Sequence, residues 1–320
     1  MNIHSLAAAA VVLGNFALVG AVFAQPYPDR SVRVLVGLAP GGGTDSVARV
    51  MTQKLSDVFG QSFIVDNRPS AGGNVAGELA ARASPDGYTL LVVTPTHVVN
   101  PSLYRDLRYD VIKDFAPVGL MVYAQYFLSV SNALPAASVN ELLALAKTRP
   151  QPLTYASSGI GSANHLSGEL FKTMAGIEMV HVPYKGGAPA LSALISGEVQ
   201  VSFTSSVVIP HSKAGRVKTL AVTGAKRTVI APEIPTIAES GVPGYEVTGR
   251  CGLAAPAKTP KAVIERLNVT MNRVLPELRE RYVNLGMDLG GGTAAEFGAF
   301  LKSERDKWAR VVKLSGAKVE

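Results

Sequence analysis

Two glycine-rich turns of this chain each stand between an apolar run of strand length and a segment of helical spacing. The first turn is Ala39-Pro40-Gly41-Gly42-Gly43-Thr44-Asp45, after the apolar run Val32–Leu38. The second is Ala156-Ser157-Ser158-Gly159-Ile160-Gly161-Ser162, after Leu153–Ala156. A short continuous apolar run suits a strand buried on both faces, and a strand that leads into a helix is the unit of a parallel sheet. Glycines at such a turn bare backbone N–H groups at a helix N-terminus, where an anion is favoured. Two such turns in separate parts of the chain point to two jaws that close on one anionic ligand.

The rest of the first hundred mature residues continues the alternation. A helix is expected over Thr44–Phe59, with apolar residues at Val47, Val50, Met51, Leu55, Val58 and Phe59. A strand follows at Phe63–Asp66, then a glycine turn, Asn67 to Asn74, and a helix through Arg82. Ser84-Pro85-Asp86-Gly87 is a turn and Tyr88–Thr94 a strand. Pro117–Val130 reads as one long strand, and Ser138–Glu141 as a capping box that opens a helix to Lys147. Further strands are expected at Met179–Val182, Val199–Phe203, Thr219–Thr223 and Gly252–Ala255, with helices over Asn164–Ala175 and Ala188–Ile195. Thr259 and Pro260 are placed as N-cap and first position of a helix to Leu275. Thr293–Glu296 is a second capping box, opening a closing helix whose apolar stripe is Phe297, Phe300, Leu301, Trp308, Val311 and Val312.

Residues 1–24 carry no Asp, Glu, Lys or Arg, and Leu6–Leu18 is almost wholly apolar. With Val22-Phe23-Ala24 ahead of Gln25, this stretch reads as a secretory signal peptide cleaved after Ala24. An uncleaved membrane anchor is the alternative, although the apolar run is short for a spanning helix. The remaining length suits two domains of ordinary size. The net charge of +7 arises from 31 Lys and Arg scattered among 24 Asp and Glu, with no basic run of the nucleic-acid-binding kind. Cys251 is the one cysteine, so there is no internal disulfide, and no Cys/His spacing of the metal-binding type occurs. His165 and His181 stand far apart in sequence without ligand-like companions.

Nucleotide chemistry fails on spacing. Ser46 stands where G-x-G-x-x-G needs its last glycine, Asn164 follows the second turn, and no G-x-x-x-x-G-K-[ST] occurs. No G-x-S-x-G surrounds Ser157 or Ser158, which weakens a secreted hydrolase built on Ser158 and His165 without removing it. Anion binding asks for less. Thr44, Ser157, Ser158 and Ser162 add hydroxyl donors to the open N–H groups, and the glycines admit a carboxylate close to the backbone. Asp45 would repel an anion, so it is read as bonding the loop's own N–H groups, or as the partner of a ligand ammonium.

Several motifs in order resemble one family. Tyr27-Pro28-Asp29-Arg30, the first glycine turn, Asp66 to Asn74 and Ser84 to Leu90 carry the resemblance in the first part. Ser157 to Leu170, His181 to Gly186, Ala221 to Thr223 with Lys226 and Arg227, and Pro235 to Tyr245 carry it onward. Together these resemble the substrate-binding proteins of tripartite tricarboxylate transporters, the Bug or TctC-type periplasmic receptors, over essentially the whole mature chain.

The resemblance implies an α/β chain with the type II periplasmic-binding-protein fold. Two α/β domains, 25–124 with 251–320 and 125–250, are joined by two crossing segments with a ligand cleft between. It implies no enzyme and no cofactor. The partners it implies are a small carboxylate ligand and the membrane permease subunits, with the chain a periplasmic monomer that binds no nucleic acid. A receptor that serves a membrane sensor kinase is an alternative. Carried onto this sequence, one jaw is Gly42, Gly43, Thr44 and Asp45, and the other Ser157, Ser158, Gly161 and Ser162. Thr94, Thr96, His165, Thr204 and Ser205 complete the candidate ligand set. The sequence departs from the family pattern at Gly37 and Leu38, at Gln200 and Thr204, and at Arg250, which stands where the family has Trp. Arg250 is expected to reach the cleft and pair with a second acidic group, against the alternative of a solvated hinge arginine.

Overall fold

The computed structural model describes residues 27–315 apart from Gly161, so the proposed signal peptide and Gly161 lie outside the described residues. The chain opens β1 (Val32–Val36), α1 (Gly43–Phe59), β2 (Phe63–Asn67), α2 (Asn74–Ala81), β3 (Thr89–Val93), α3 (Pro95–Leu103) and β4 (Phe115–Gln125). It continues β5 (Phe127–Ser131), α4 (Val139–Thr148), β6 (Leu153–Ser157), α5 (Ala163–Ala175), β7 (Met179–Pro183), α6 (Gly187–Ser196), β8 (Val201–Thr204), α7 (Ile209–Lys213) and β9 (Val217–Val222). It ends β10 (Thr248–Pro256), α8 (Lys261–Val274), α9 (Arg279–Asn284), β11 (Asp288–Leu289) and α10 (Ala294–Ser315).

The strands form two sheets, in the orders β11-β4-β10-β3-β1-β2 and β7-β6-β8-β5-β9. Alternate residues of the buried strands serve opposite faces, as the two-residue strand period requires. Val34, Val36, Leu90 and Val92 join the apolar cluster under α1 and α8, whereas Leu35, Leu91 and Val93 join the one under α2, α3 and α10. This second cluster does not stop at the first sheet. It runs through Val247 and Trp308 to Leu166, Phe171 and Phe203 beneath the second sheet. The apolar stripe of α10 therefore serves both halves.

The expected strand Pro117–Val130 divides in two. β4 pairs with β10 in one sheet, and β5 pairs with β8 and β9 in the other. Tyr126 is the crossing residue. Its N–H donates to Thr223 Oγ1 (2.8 Å) and its carbonyl accepts from Thr223 N (2.9 Å). Thr223 Oγ1 in turn donates to Val247 O (2.7 Å), and Val247 N donates to Thr223 O (2.8 Å). The segment is apolar on both sides of Tyr126, so its pattern carries no mark of the change of sheet. α3 was not expected either, because β-branched residues and Pro101 obscure its period. At α8, Pro260 is the N-cap and Lys261 the first helical residue, one position later than expected.

Gly168 shows how α5 reaches the second sheet. A Cβ there would stand 2.3 Å from the Tyr155 ring. We expect Gly168→Ala to lower stability by about 1–3 kcal/mol, the usual cost of forcing extra volume into a packed core, measured by urea unfolding. Unchanged unfolding would contradict the close helix–strand contact.

A second prediction comes from α3. Thr94 caps it, and the buried His97 completes a capping box, Nδ1 accepting from Thr94 N at 3.1 Å. Burial pushes His97 down from 6.5 to about 4. The folded state favours the neutral ring, so this contribution is complete above pH 6.5 and is lost as pH falls towards 4. His97→Asn keeps an acceptor without a titrating ring. We expect it to lose less stability than the unsubstituted protein between these pH values in denaturant titrations; identical losses would contradict the assignment.

Candidate functional site

The strand registers turn the ends of both sheets that carry the glycine turns towards the crossing. β1 and β3 run parallel, with Val34 opposite Leu90. The C-terminal end of β3 lies beside the middle of antiparallel β10, Val93 opposite Gly252, so that the start of β10 runs on past it towards the crossing. In the other sheet β6 and β8 run parallel, and the end of β8 meets the start of antiparallel β5, Thr204 opposite Phe127. β10 begins and β5 begins where the chain crosses between sheets. The C-terminal ends of the parallel strands in both sheets therefore open on the crossing, the edge at which α/β folds bind ligands.

On the first side, Gly37 lets the β1–α1 turn lie against the glycine turn after β2: a Cβ on it would stand 2.6 Å from Gly73 Cα. Gly41 adopts φ +80°, and Gly42 is the N-cap of α1 with no side-chain cap. The first-turn N–H groups of α1 thus meet no capping side chain. Asp45 faces inward, 2% exposed. Its carboxylate accepts from Gly41 N (2.9 Å), Arg49 Nε (2.8 Å) and Asn67 Nδ2 (2.9 Å). Burial would raise this carboxyl, but the bonds from Arg49, Gly41 and Asn67 hold it below the ordinary value. Asp45 is saturated by protein groups and shapes the turn. Thr44 bonds the Cys251 thiol, which burial pushes up to about 11, so Cys251 is a neutral thiol at physiological pH.

At the end of β3, Thr94 Oγ1 lies 2.9 Å from both Thr96 Oγ1 and His97 Nδ1. Thr96 lines a cavity of about 40 Å³ with Tyr126, Ala163, Leu166, Gly249 and Trp308. This has room for a water molecule but not for an organic acid, and it sets the N-termini of α3 and α5 side by side.

On the second side, Gly159 is the centre of the turn. Its carbonyl accepts from Ser162 Oγ (2.6 Å), Ser162 N (3.2 Å) and Ser157 Oγ (3.1 Å). Ser162 also caps α5 by accepting from His165 N. Ser158 Oγ donates to Asn164 Oδ1 at 2.7 Å, and Asn164 Nδ2 donates to Phe203 O. Thr204 is buried with Oγ1 2.9 Å from Ser202 Oγ, while Ser205 is exposed. Beside it Ser206 meets the other half of the chain: a Cβ on Gly286 would stand 2.1 Å from Ser206 Oγ.

His165 and His181, distant in sequence, stack at 4.0 Å between ring centroids. His181 Nε2 lies 2.7 Å from Ser157 Oγ. Burial and then the neighbouring His165 push His181 down to about 4, and burial lowers His165. The serine that meets an imidazole is therefore Ser157, 1% exposed, while the Ser158 hydroxyl is bound to Asn164. The Ser158/His165 hydrolase pair is not assembled. His181, Asn67 and Asn164 lie inside motifs of the sequence, but their roles could not be read there, because each acts through a partner on another element.

Arg250 does not meet the turns. It lies on the face of β10 opposite to Cys251, with its guanidinium 3.7 Å from the Phe300 ring centroid and 3.3 Å from both Glu246 Oε1 and Thr248 Oγ1. With Tyr123, Lys226 and Glu246 it lines a groove of about 250 Å³ behind the crossing strands. Lys185 is exposed.

A family model described as the tripartite tricarboxylate transporter family receptor matches residues 47–317. Protein BugT of Bordetella pertussis is 31% identical and covers 98% of each chain. Among solved structures, R. palustris Rpa4515 with adipate is 38% identical with a TM-score of 0.75, covering 92% of this chain and 100% of that one. MatC (Rpa3494) from Rhodopseudomonas palustris with bound malate is 31% identical with a TM-score of 0.70, covering 89% and 100%. The likeness extends over the two-domain periplasmic-binding fold and joins the chain to solute-binding receptors rather than to enzymes. This chain belongs to the tripartite tricarboxylate transporter receptor family.

Proposed function

We propose that this receptor captures a small organic dicarboxylate between its two halves in the periplasm and delivers it to the permease subunits of a tripartite tricarboxylate transporter. What supports this reading is the character of two turns, each at the C-terminal end of a parallel strand on the crossing side of its sheet. One is the N-terminus of α1, which has no side-chain cap, and the other is the serine–glycine turn before α5. The first-turn N–H groups of a helix carry roughly half a positive charge, and between closed halves water no longer screens it. The ligand set would be Gly42, Gly43, Thr44, Thr96, Ser157, Ser158, Gly161 and Ser162, with Thr94, Asp45, His165, Thr204 and Ser205 shaping it. The moving bodies would be 25–124 with 251–320, and 125–250, and closure is a hinge motion at Tyr126 and at 223–248. The dicarboxylates in Rpa4515 and MatC support the ligand class. An export signal at 1–24 supports the compartment.

Thermal denaturation against adipate, malate, citrate and glutamate tests the reading, since a ligand bound by the native state alone raises the melting temperature. We expect a rise with at least one dicarboxylate and no consumption of it. Turnover, or no rise with any of these acids, would contradict the proposal.

Gly43 offers a sharper test of the first turn. A Cβ there meets nothing nearer than Met287 Cε at 3.9 Å, so a side chain can be added without disturbing the fold. We expect Gly43→Val to unfold like the unsubstituted protein yet bind the dicarboxylate roughly 10–100-fold more weakly, the loss of a hydrogen bond to a charged group. Unchanged affinity in calorimetry would remove the α1 turn from the site.

A further inference from the structure

Behind the serine–glycine turn lies a polar cluster that the carboxylate site alone does not explain. We propose that His181 is a positioning residue of the carboxylate clamp: it holds the turn through Ser157, and the His165–His181 stack takes up a proton when the anion is captured. This rests on the carboxylate reading above.

The geometry begins with the Ser157 hydroxyl, which has one proton and three neighbours. Gly159 N donates to it at 3.1 Å, Gly159 O lies at 3.1 Å, and His181 Nε2 lies at 2.7 Å. A hydroxyl donates once and accepts twice. All three contacts are satisfied only when His181 Nε2 carries a proton and donates to Ser157 Oγ, leaving the serine proton for Gly159 O. That carbonyl is the point around which Ser162, the α5 cap, is also folded. In the neutral ring with its proton on Nδ1, Ser157 turns its own proton to Nε2 and releases Gly159 O, whereas the imidazolium carries a proton on both nitrogens, so proton uptake fixes Nε2 as the donor. The state of one imidazole thus reaches the turn that faces the ligand.

The surroundings make the stack responsive to an arriving charge. From β6, Tyr155 stacks on His181 at 4.9 Å and donates to Glu169 Oε1 at 2.5 Å. From α5 come His165, Glu169 and Lys172, whose ammonium lies 3.1 Å from both Glu169 oxygens. Glu169 favours the charged imidazole and Lys172 opposes it. What keeps the free pair neutral is burial and the closeness of the two rings. Rings 4.0 Å apart resist a second charge, so the pair takes up at most one proton and titrates as a unit. A carboxylate at the turn favours the charged form and raises the pair's pKa. Since the pKa is then higher in the complex than in the free protein, capture consumes protons, and affinity rises as pH falls through the value in the complex.

Calorimetry with adipate, in two buffers of different ionisation enthalpy between about pH 8 and about pH 6, tests the coupling. We expect net proton uptake that grows as pH falls, and affinity that strengthens with it. His181→Ala should bind about tenfold more weakly at the alkaline end, the loss of one hydrogen bond that orders the turn. His181→Gln, which retains a donor but cannot titrate, should restore most of the affinity and abolish the uptake. Uptake unchanged in His181→Gln, or normal affinity in His181→Ala, would overturn the proposal. A second readout needs no ligand. The Gly159 amide resonance should follow the His181 titration in the unsubstituted protein and stay flat in His181→Gln. A Gly159 resonance indifferent to His181 overturns the positioning role. Failure of the unsubstituted protein to bind adipate or malate counts against the carboxylate reading instead.

Discussion

The hydrogen bonds that join Tyr126, Thr223 and Val247 hold the two sheets end to end, and the site depends on that junction. β4 and β9 end at it, and β5 and β10 leave from it or from the loop beyond. Because β5 and β10 run antiparallel to the strands beside them, the C-terminal ends of β1, β3, β6 and β8 are turned to the same space. The N-termini of α1 and α5 thus lie on the crossing side of their sheets. The apolar cluster that passes from Leu35 through Trp308 to Phe171 backs the junction with a shared core. Such a joint can bend at a few residues while each sheet stays whole.

On the proposed reading an anion is drawn to that space without a free cationic side chain on either turn. Asp45, an anion itself, is enclosed by Gly41, Arg49 and Asn67, so its charge is answered inside the protein and its work is to fold the α1 turn. Arg250, the cation expected to reach the cleft, is turned to Phe300 and Glu246 on the far face of β10. Backbone dipoles and hydroxyls remain. On the same reading they would hold a carboxylate through directional bonds that hinge opening breaks, without the desolvation cost of a buried guanidinium pair.

Much of this was legible because it is local. The glycine turns, the capping boxes at Ser138 and Thr293 and the apolar strands each announce themselves within a few residues. The reading of Asp45 as a loop ligand also followed from its place beside open N–H groups. What stayed hidden is non-local. An apolar segment looks the same whether it stays in one sheet or changes sheets at Tyr126. Pro101 and the β-branched residues of α3 concealed a helix that tertiary packing imposes. The face on which Arg250 emerges depends on strand register, and a single step would have put it beside Thr44. His165 and His181 meet only because α5 and β7 flank β6.

A crystal structure of the protein with adipate would show whether an organic acid sits between the two turns. We expect one carboxylate within hydrogen-bond reach of the first-turn N–H groups of α1 and of the Ser157–Ser162 turn at once, with the halves closed around it. A carboxylate found instead in the groove lined by Tyr123, Lys226 and Arg250 would contradict it.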